Sequence, residues 1–255
     1  MRSLLLALCA ALIVGGALLA TAAAPPSRVA VPAVATDAGD KGVFGRKIRD
    51  YLVANPEVLV EAMQEFERRQ DSQRDSVAQK AISQHKVELL SDPESPSSGN
   101  ATGDVVIVDF NDYQCPYCKR AHQALKSVVS ADGKVKVVYK DLPILGEPSR
   151  IAALAAMAAV KQGKHLALHN ALMEFSGKLD RDRILEIAAS VGLDVALLQK
   201  DMEDPKFKQL IERNMALAGA LGVRGTPAFV IGDQFVPGAI DADALKQLIA
   251  EARKR

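Results

Sequence analysis

The chain has 255 residues, with 32 lysines and arginines against 31 aspartates and glutamates, so it carries almost no net charge. No overall electrostatic field would therefore attract nucleic acid or an anionic membrane surface. Aromatic residues make up 4% of the chain and tryptophan is absent, which argues against a base-stacking platform. The length allows one sizeable hydrophobic core and an appended segment.

The first segment is predicted to be a secretory signal peptide. Arg2 precedes an apolar run from Leu4 to Ala20, and Ala20-Thr21-Ala22 has the small-x-small pattern of a cleavage site. A retained membrane anchor is the alternative, although the run is close to the lower limit of about 18 residues for spanning a bilayer. We expect residues 1–22 to be removed on export and the mature protein to be periplasmic.

A helical extension is predicted between the signal peptide and the main domain. Residues 23–43 lack any period and are expected to form a flexible tether, whereas residues 44–90 show helical spacing. Asn55-Pro56-Glu57 is typical of a helix start, and an apolar stripe follows it. The stripe consists of Val58, Leu59, Ala62, Met63 and Phe66.

Such a stripe needs a partner surface. We expect residues 44–90 to form a homo-oligomer, the alternative being that they fold back on their own domain. Residues 91–103, with two prolines and two glycines, are expected to be a linker.

The main domain, residues 104–255, is predicted to be of the α/β class. Apolar runs indicate strands at 105–110, 135–140, 228–231 and 234–236. A long stretch of helical spacing separates the second strand from the third, and Asp241 is expected to cap a closing helix.

The sequence Cys115-Pro116-Tyr117-Cys118 follows the first strand of this domain. A helix that begins here would stabilise a thiolate on Cys115 through its N-terminal N–H groups and dipole, so Cys115 is the predicted nucleophile. Cys118, one turn later, is placed to attack a mixed disulfide and release the substrate. Pro116 suits the first helical turn, and Tyr117 is expected to tune the site.

Zinc binding is the alternative use of this cysteine pair. His122 lies four residues beyond Cys118 and could supply a third ligand. A closed zinc site needs four ligands, and His165 and His169 lie in other predicted helices. We therefore predict no metal and no cofactor, with His122 on the surface of the active-site helix and the other two histidines at ordinary helix positions.

The run from Val108 to Cys118, Val-Asp-Phe-Asn-Asp-Tyr-Gln-Cys-Pro-Tyr-Cys, resembles the active site of the DsbA-like family, and Gly225-Thr226-Pro227 resembles its cis-proline loop. The similarity covers residues 104–255. It implies a thioredoxin fold with a helical insertion at about 148–222. Residues 44–90 resemble, more weakly, the N-terminal segment of the ScsC-like branch, the suppressors of copper sensitivity.

The resemblance implies roles for three further residues. Pro227 should have a cis peptide bond and face the cysteines, although a proline that merely starts a strand is the alternative. The Thr226 backbone should pair with an extended substrate. Asp109 should be a buried carboxylate that moves a proton to or from Cys118, unless it faces Lys140 in a structural pair.

Three functions compete for these residues. Thr226 and Tyr117 resemble the isomerase-type members, which favours a disulfide isomerase or reductase over a disulfide oxidase. The third possibility is copper(I) binding by the two thiols. The expected partners are exported client proteins that contain cysteine, and a membrane protein that reduces or oxidises the Cys115–Cys118 pair.

Overall fold

The computed structural model describes residues 38–254, with side chains from residue 42 onward. The predicted signal peptide and residues 23–37 of the predicted tether lie outside the described residues. Within residues 38–254, no helix has both the length and the apolar content needed to cross a membrane. The chain divides between Leu59 and Val60 into two units.

A five-stranded mixed sheet forms the centre of the larger unit. Its strands are β1 (Ser97–Gly99), β2 (Val105–Asn111), β3 (Val135–Asp141), β4 (Ala228–Ile231) and β5 (Gln234–Pro237). The order across the sheet is β1-β3-β2-β4-β5, with β2 and β3 parallel and all other neighbours antiparallel. The four predicted strands are confirmed.

Ten α-helices accompany the sheet in the described part of the chain. They are α1 (Ala38–Ala54), α2 (Pro56–Gln84), α3 (Lys86–Leu90), α4 (Pro116–Asp132), α5 (Glu147–Ala158), α6 (His165–Glu174), α7 (Arg181–Ser190), α8 (Val195–Asp201), α9 (Pro205–Ala220) and α10 (Ala242–Ala252). A 3₁₀ turn at Ala159–Gln162 follows α5. Asp241 caps α10 as predicted, its side chain accepting a hydrogen bond from the Ala244 N–H.

The central strand β2 is covered on both faces. Ile107 packs with residues of α4 and α10, whereas Val108 and Phe110 pack on the opposite face with residues of α9 and with Ala81 and Leu89. This double burial explains why β2 is almost continuously apolar. Helices α5 to α9, the predicted insertion, form a hydrophobic core that includes both cysteines.

The helical extension differs from the prediction at both ends. Helix α1 begins at Ala38, inside the stretch expected to be tether. The last turns of α2 pack on the main domain, because Ala78, Ala81 and Ile82 are buried. The middle of α2 is exposed, with 56% of Met63 and 61% of Phe66 accessible to solvent. The C-terminal turns of α2 therefore fold back on the main domain, whereas the apolar stripe in the middle of the same helix has no partner among the described residues.

The expected linker at 91–103 contains structure of its own. Strand β1 adds to the sheet edge, and Lys140 reaches from β3 to bind Asp92 at 3.0 Å and Ser95 at 2.7 Å. Burial lowers the pKa of Lys140, and the Asp92 carboxylate opposes that change. The alternative pairing of Lys140 with Asp109 is therefore wrong, since strand alternation turns these two side chains to opposite faces.

This ion pair yields a stability prediction. Asp92→Ala should lower the free energy of unfolding by about 3 kcal/mol, because it leaves the buried Lys140 charge without a carboxylate. Urea denaturation measures the change. Adding Lys140→Met to Asp92→Ala should recover most of the loss, and a single variant within about 1 kcal/mol of wild type would contradict the interpretation.

Candidate active site

Strand β2 and helix α4 deliver the two cysteines, which are thiols in this structure. Cys115 is the N-cap residue of α4, in an extended conformation, and Pro116 occupies the first turn as predicted. The Cys115 N–H donates to the Asp112 carbonyl at 3.0 Å. The Cys115 sulfur thus lies at the end of a helix where unpaired N–H groups and the dipole favour negative charge.

The loop before β4 lies directly against Cys115. The Thr226–Pro227 peptide bond is cis, which confirms that expectation. The Cys115 thiol donates to the Thr226 carbonyl, with 3.2 Å between Sγ and O. Pro227 is buried and Thr226 is partly exposed. The structure therefore places the backbone of the cis-proline loop beside the first sulfur.

Cys118 lies one turn later in α4 and is 3% exposed, about as buried as Cys115 at 4%. The Asp112 N–H donates to its sulfur over a long distance of 3.5 Å. Burial raises the pKa of the Cys118 thiol far above its ordinary value, and the nearby charges of Asp109 and Cys115 raise it further. Cys118 therefore needs a proton acceptor close by before it can act as a nucleophile.

Asp109 is the acid that sequence analysis proposed for this task. It is 4% exposed and lies opposite Tyr139 in the sheet, on the face that packs against α4. Burial raises the pKa of the Asp109 carboxyl, and the neighbouring charge of Asp141 raises it further. Its negative charge adds to burial in raising the pKa of the Cys118 thiol.

Asp112 was missed by the sequence analysis, although it organises the loop that carries Cys115. Its carboxylate accepts hydrogen bonds from the Gln114 N–H at 2.8 Å and the Ser149 hydroxyl at 2.6 Å. The N–H groups of Ile144 and Leu145 donate to its other oxygen. One carboxylate thus ties the β2–α4 loop to the start of the helical insertion. In an Asx turn an aspartate side chain accepts a hydrogen bond from the N–H two residues later. An aspartate at this position is therefore a local sequence signal for such a loop.

Three buried histidines lie close together, His122 on α4 and His165 and His169 on α6. The prediction that His122 lies on the surface is therefore wrong. His122 is 4% exposed, and its ring centroid is 5.2 Å from that of His169, which lies 5.7 Å from that of His165. The Tyr113 hydroxyl and the His169 Nδ1 are 2.9 Å apart. Burial lowers the pKa of all three histidines, which favours their neutral forms.

Sequence separation had argued against a shared site for these histidines, and the fold brings them together. The geometry is nevertheless not that of a metal centre. Within residues 38–254 there is no group of three or more histidine, cysteine or acidic side chains arranged to hold a metal ion.

A groove of about 810 Å³ opens next to the cis-proline loop that contacts Cys115. It runs along the exposed side of α4 and is bounded by the Thr226–Pro227 loop and by the turn before α10. Tyr117 is 55% exposed at its edge, and the Arg120 guanidinium stacks on the Tyr117 ring at 4.5 Å. Cys115 itself is only 4% exposed, and the groove reaches it through Thr226, whose carbonyl accepts from its thiol.

Two family models match separate parts of the chain. Residues 106–250 match the DSBA-like thioredoxin domain. Residues 40–73 match the copper resistance protein ScsC N-terminal domain.

Solved structures show the same fold. A thioredoxin-like oxidoreductase from Silicibacter pomeroyi is 48% identical, with a TM-score of 0.65 over 67% of this chain and 98% of that chain. Proteus mirabilis ScsC in a transitional conformation is 32% identical, with a TM-score of 0.64 over 86% of this chain and 99% of that chain.

Part of a much longer protein also matches. The Na⁺/H⁺ antiporter NhaA 1 of Salinispora arenicola is 26% identical over 156 residues, which are 60% of this chain and 24% of the antiporter. This chain thus spans about a quarter of the length of that antiporter. Because the DSBA-like model covers more than half of the chain, and the cysteines and cis-proline stand where that fold needs them, the chain belongs to the DsbA-like family of thiol-disulfide oxidoreductases.

Proposed function

We propose that the protein is an exported thiol:disulfide oxidoreductase that works chiefly as a disulfide isomerase or reductase on periplasmic client proteins. One observation carries the proposal. The Cys115 sulfur lies at the N-terminus of α4 and 3.2 Å from the carbonyl oxygen of Thr226, a residue that lines an open groove. A client strand that paired with the Thr226 backbone would hold its own sulfur next to Cys115.

In the first step the Cys115 thiolate attacks one sulfur of a client disulfide. A Cys115–client disulfide forms, the client S–S bond breaks, and the other client sulfur leaves as a thiolate. The helix N-terminus stabilises the attacking thiolate. Pro116 and Tyr117 line the approach, and Tyr117 is exposed enough to touch the client.

In the second step Cys118 releases the client. Asp109 accepts the Cys118 proton while the Cys118 sulfur attacks Cys115, so that an internal disulfide forms and the client leaves as a thiolate. Attack by the free client thiolate on another bond instead gives isomerisation. A membrane redox partner would return the internal disulfide to the dithiol.

The direction of the chemistry is inferred from the residues at the groove. Tyr117 in the dipeptide and Thr226 before the cis-proline resemble the residues of isomerase-type members. Shuffling requires a client to be held through repeated attack and release, and several active sites in one assembly would raise its effective concentration. The exposed side chains of Leu59, Met63 and Phe66 supply a surface for such an assembly.

The cysteine roles predict a trapping experiment. Cys118→Ala should accumulate clients as mixed disulfides on Cys115, because the first attack survives and the resolving attack is lost. Cys115→Ala should trap none. Non-reducing gels of periplasmic extracts, with and without reductant, report the adducts. Equal trapping by the two variants would contradict the assignment.

The exposed stripe predicts a self-associating protein. Sedimentation at micromolar concentration should give a mass of at least two chains for the mature protein. Met63→Lys with Phe66→Lys should shift that mass to one chain, because two charges enter the apolar contact. Gln64→Lys adds a charge on another face of α2 and should leave the assembly intact. A monomeric wild type would contradict this part of the proposal.

Removal of the assembly surface should separate shuffling from oxidation. A chain without residues 25–73 keeps the buried end of α2 and should lose disulfide shuffling several-fold while oxidising dithiols at the wild-type rate. Scrambled and reduced ribonuclease are the two substrates. Full-length protein that oxidises reduced ribonuclease quickly but never unscrambles would instead identify a disulfide oxidase.

A further inference from the structure

Two buried carboxyl groups, those of Asp109 and Asp141, project from the same face of the neighbouring strands β2 and β3. In the parallel pairing of β2 with β3, Asp109 lies opposite Tyr139 and Asn111 lies opposite Asp141. Because side chains alternate along a strand, Asp109 and Asp141 point to the same face, one step apart on neighbouring strands. Asp109 is 4% exposed and Asp141 is fully buried.

Neither carboxyl group has a cationic partner among the described residues. No hydrogen bond of good geometry reaches either oxygen of Asp141 or the Oδ1 of Asp109 from residues 38–254. Lys140, the intervening residue on β3, is bound to Asp92 and Ser95 on the opposite face of the sheet. The pair therefore lacks the counter-charge that buried carboxylates usually have.

The other titratable groups on this side do not supply a positive charge. These groups are Asp112 and Tyr113 in the loop after β2, Tyr139 on β3, Cys118 and His122 on α4, and His165 and His169 on α6. The histidines are held neutral by burial, as described above. Helix α10, which covers the same face, contributes the apolar side chains Leu245 and Ile249.

Two neighbouring carboxyl groups in such surroundings cannot both ionise at neutral pH, because each charge is poorly solvated and repels the other. Consistently, burial raises the pKa of both Asp109 and Asp141, and the charge of Asp141 raises the pKa of Asp109 further.

We propose that Asp109 and Asp141 form an electrostatically coupled carboxyl pair, and that Asp141 is the positioning residue that sets when Asp109 can accept the proton of Cys118. This inference rests on the proposed function. In resolution the Cys118 S–H proton moves to Asp109, the Cys118–Cys115 bond forms, the bond from Cys115 to the client breaks, and the client sulfur leaves as a thiolate. In the reverse reaction Asp109 returns the proton to Cys118.

Direct titration tests the pair. In reduced protein labelled with ¹³C at the aspartate carboxyls, the signals of Asp109 and Asp141 should titrate in two coupled steps, both above the ordinary range of aspartate. In Asp141→Asn, Asp109 should titrate in one step at a pH lower by about one unit or more, because the repelling charge is gone. Ordinary, independent titration of both groups in wild type would overturn the pair.

Kinetics test the consequence for Cys118. After the reduced protein reacts with oxidised glutathione at Cys115, release of the second glutathione measures resolution. The rate should fall as the pH decreases through the Asp109 transition. Asp141→Asn should move that fall to lower pH, since Asp109 then stays ionised further into acid. Asp104→Asn, an exposed carboxylate just before β2, should leave the profile unchanged.

The possible results distinguish failure of the carboxyl-pair proposal from failure of the proposed oxidoreductase function. A wild-type profile in Asp141→Asn, with normal turnover, overturns the positioning role and leaves the oxidoreductase intact. A wild-type profile in Asp109→Asn removes Asp109 from resolution and overturns both its role as the base and the positioning role of Asp141. Absence of any reaction at Cys115 with glutathione disulfide overturns the proposed function, whereas the carboxyl titration still decides whether the pair exists.

Discussion

The antiparallel pairing of β2 with β4 is the constraint on which the active site depends. Strand β2 leads into Cys115 and β4 follows Pro227, so four ladder pairs bring together two segments that are more than a hundred residues apart. Strands β2 and β4 are buried on both faces, which makes a slip of their register costly because every side chain would change sides. The pairing of β2 with β4 therefore fixes the contact between Cys115 and Thr226.

The site combines opposite demands on charge. At its N-terminus, α4 favours a thiolate on Cys115, where the proposed reaction with a client begins. One turn later, the surroundings of Cys118 oppose ionisation, and so do those of Asp109 and Asp141. In the proposed mechanism the first cysteine attacks and the second acts after proton transfer. Both sulfurs are buried, so their positions along α4, and not their burial, distinguish them.

The parts that could be predicted from sequence are those with local signals. The strands show as apolar runs, the helix starts as Asn-Pro-Glu or Asp caps, and the nucleophile as a Cys-x-x-Cys after a buried strand. Strand β1, Asp141 and the histidine cluster could not be found in this way. Their positions follow from strand pairing and from α6 packing beneath α4, which no periodicity in a single segment encodes.

The ion pair between Lys140 and Asp92 also affects how readily proteases can cut residues 91–103. Its composition suggested an exposed connection, yet Asp92 and Ser95 are tied beneath β3 and residues 97–99 are hydrogen-bonded into the sheet. Proteases cut where backbone can unfold locally. Degradation that begins on the exposed turns of α2 should therefore halt before Ala78, and the fragment that survives would keep an intact sheet and a working cysteine pair.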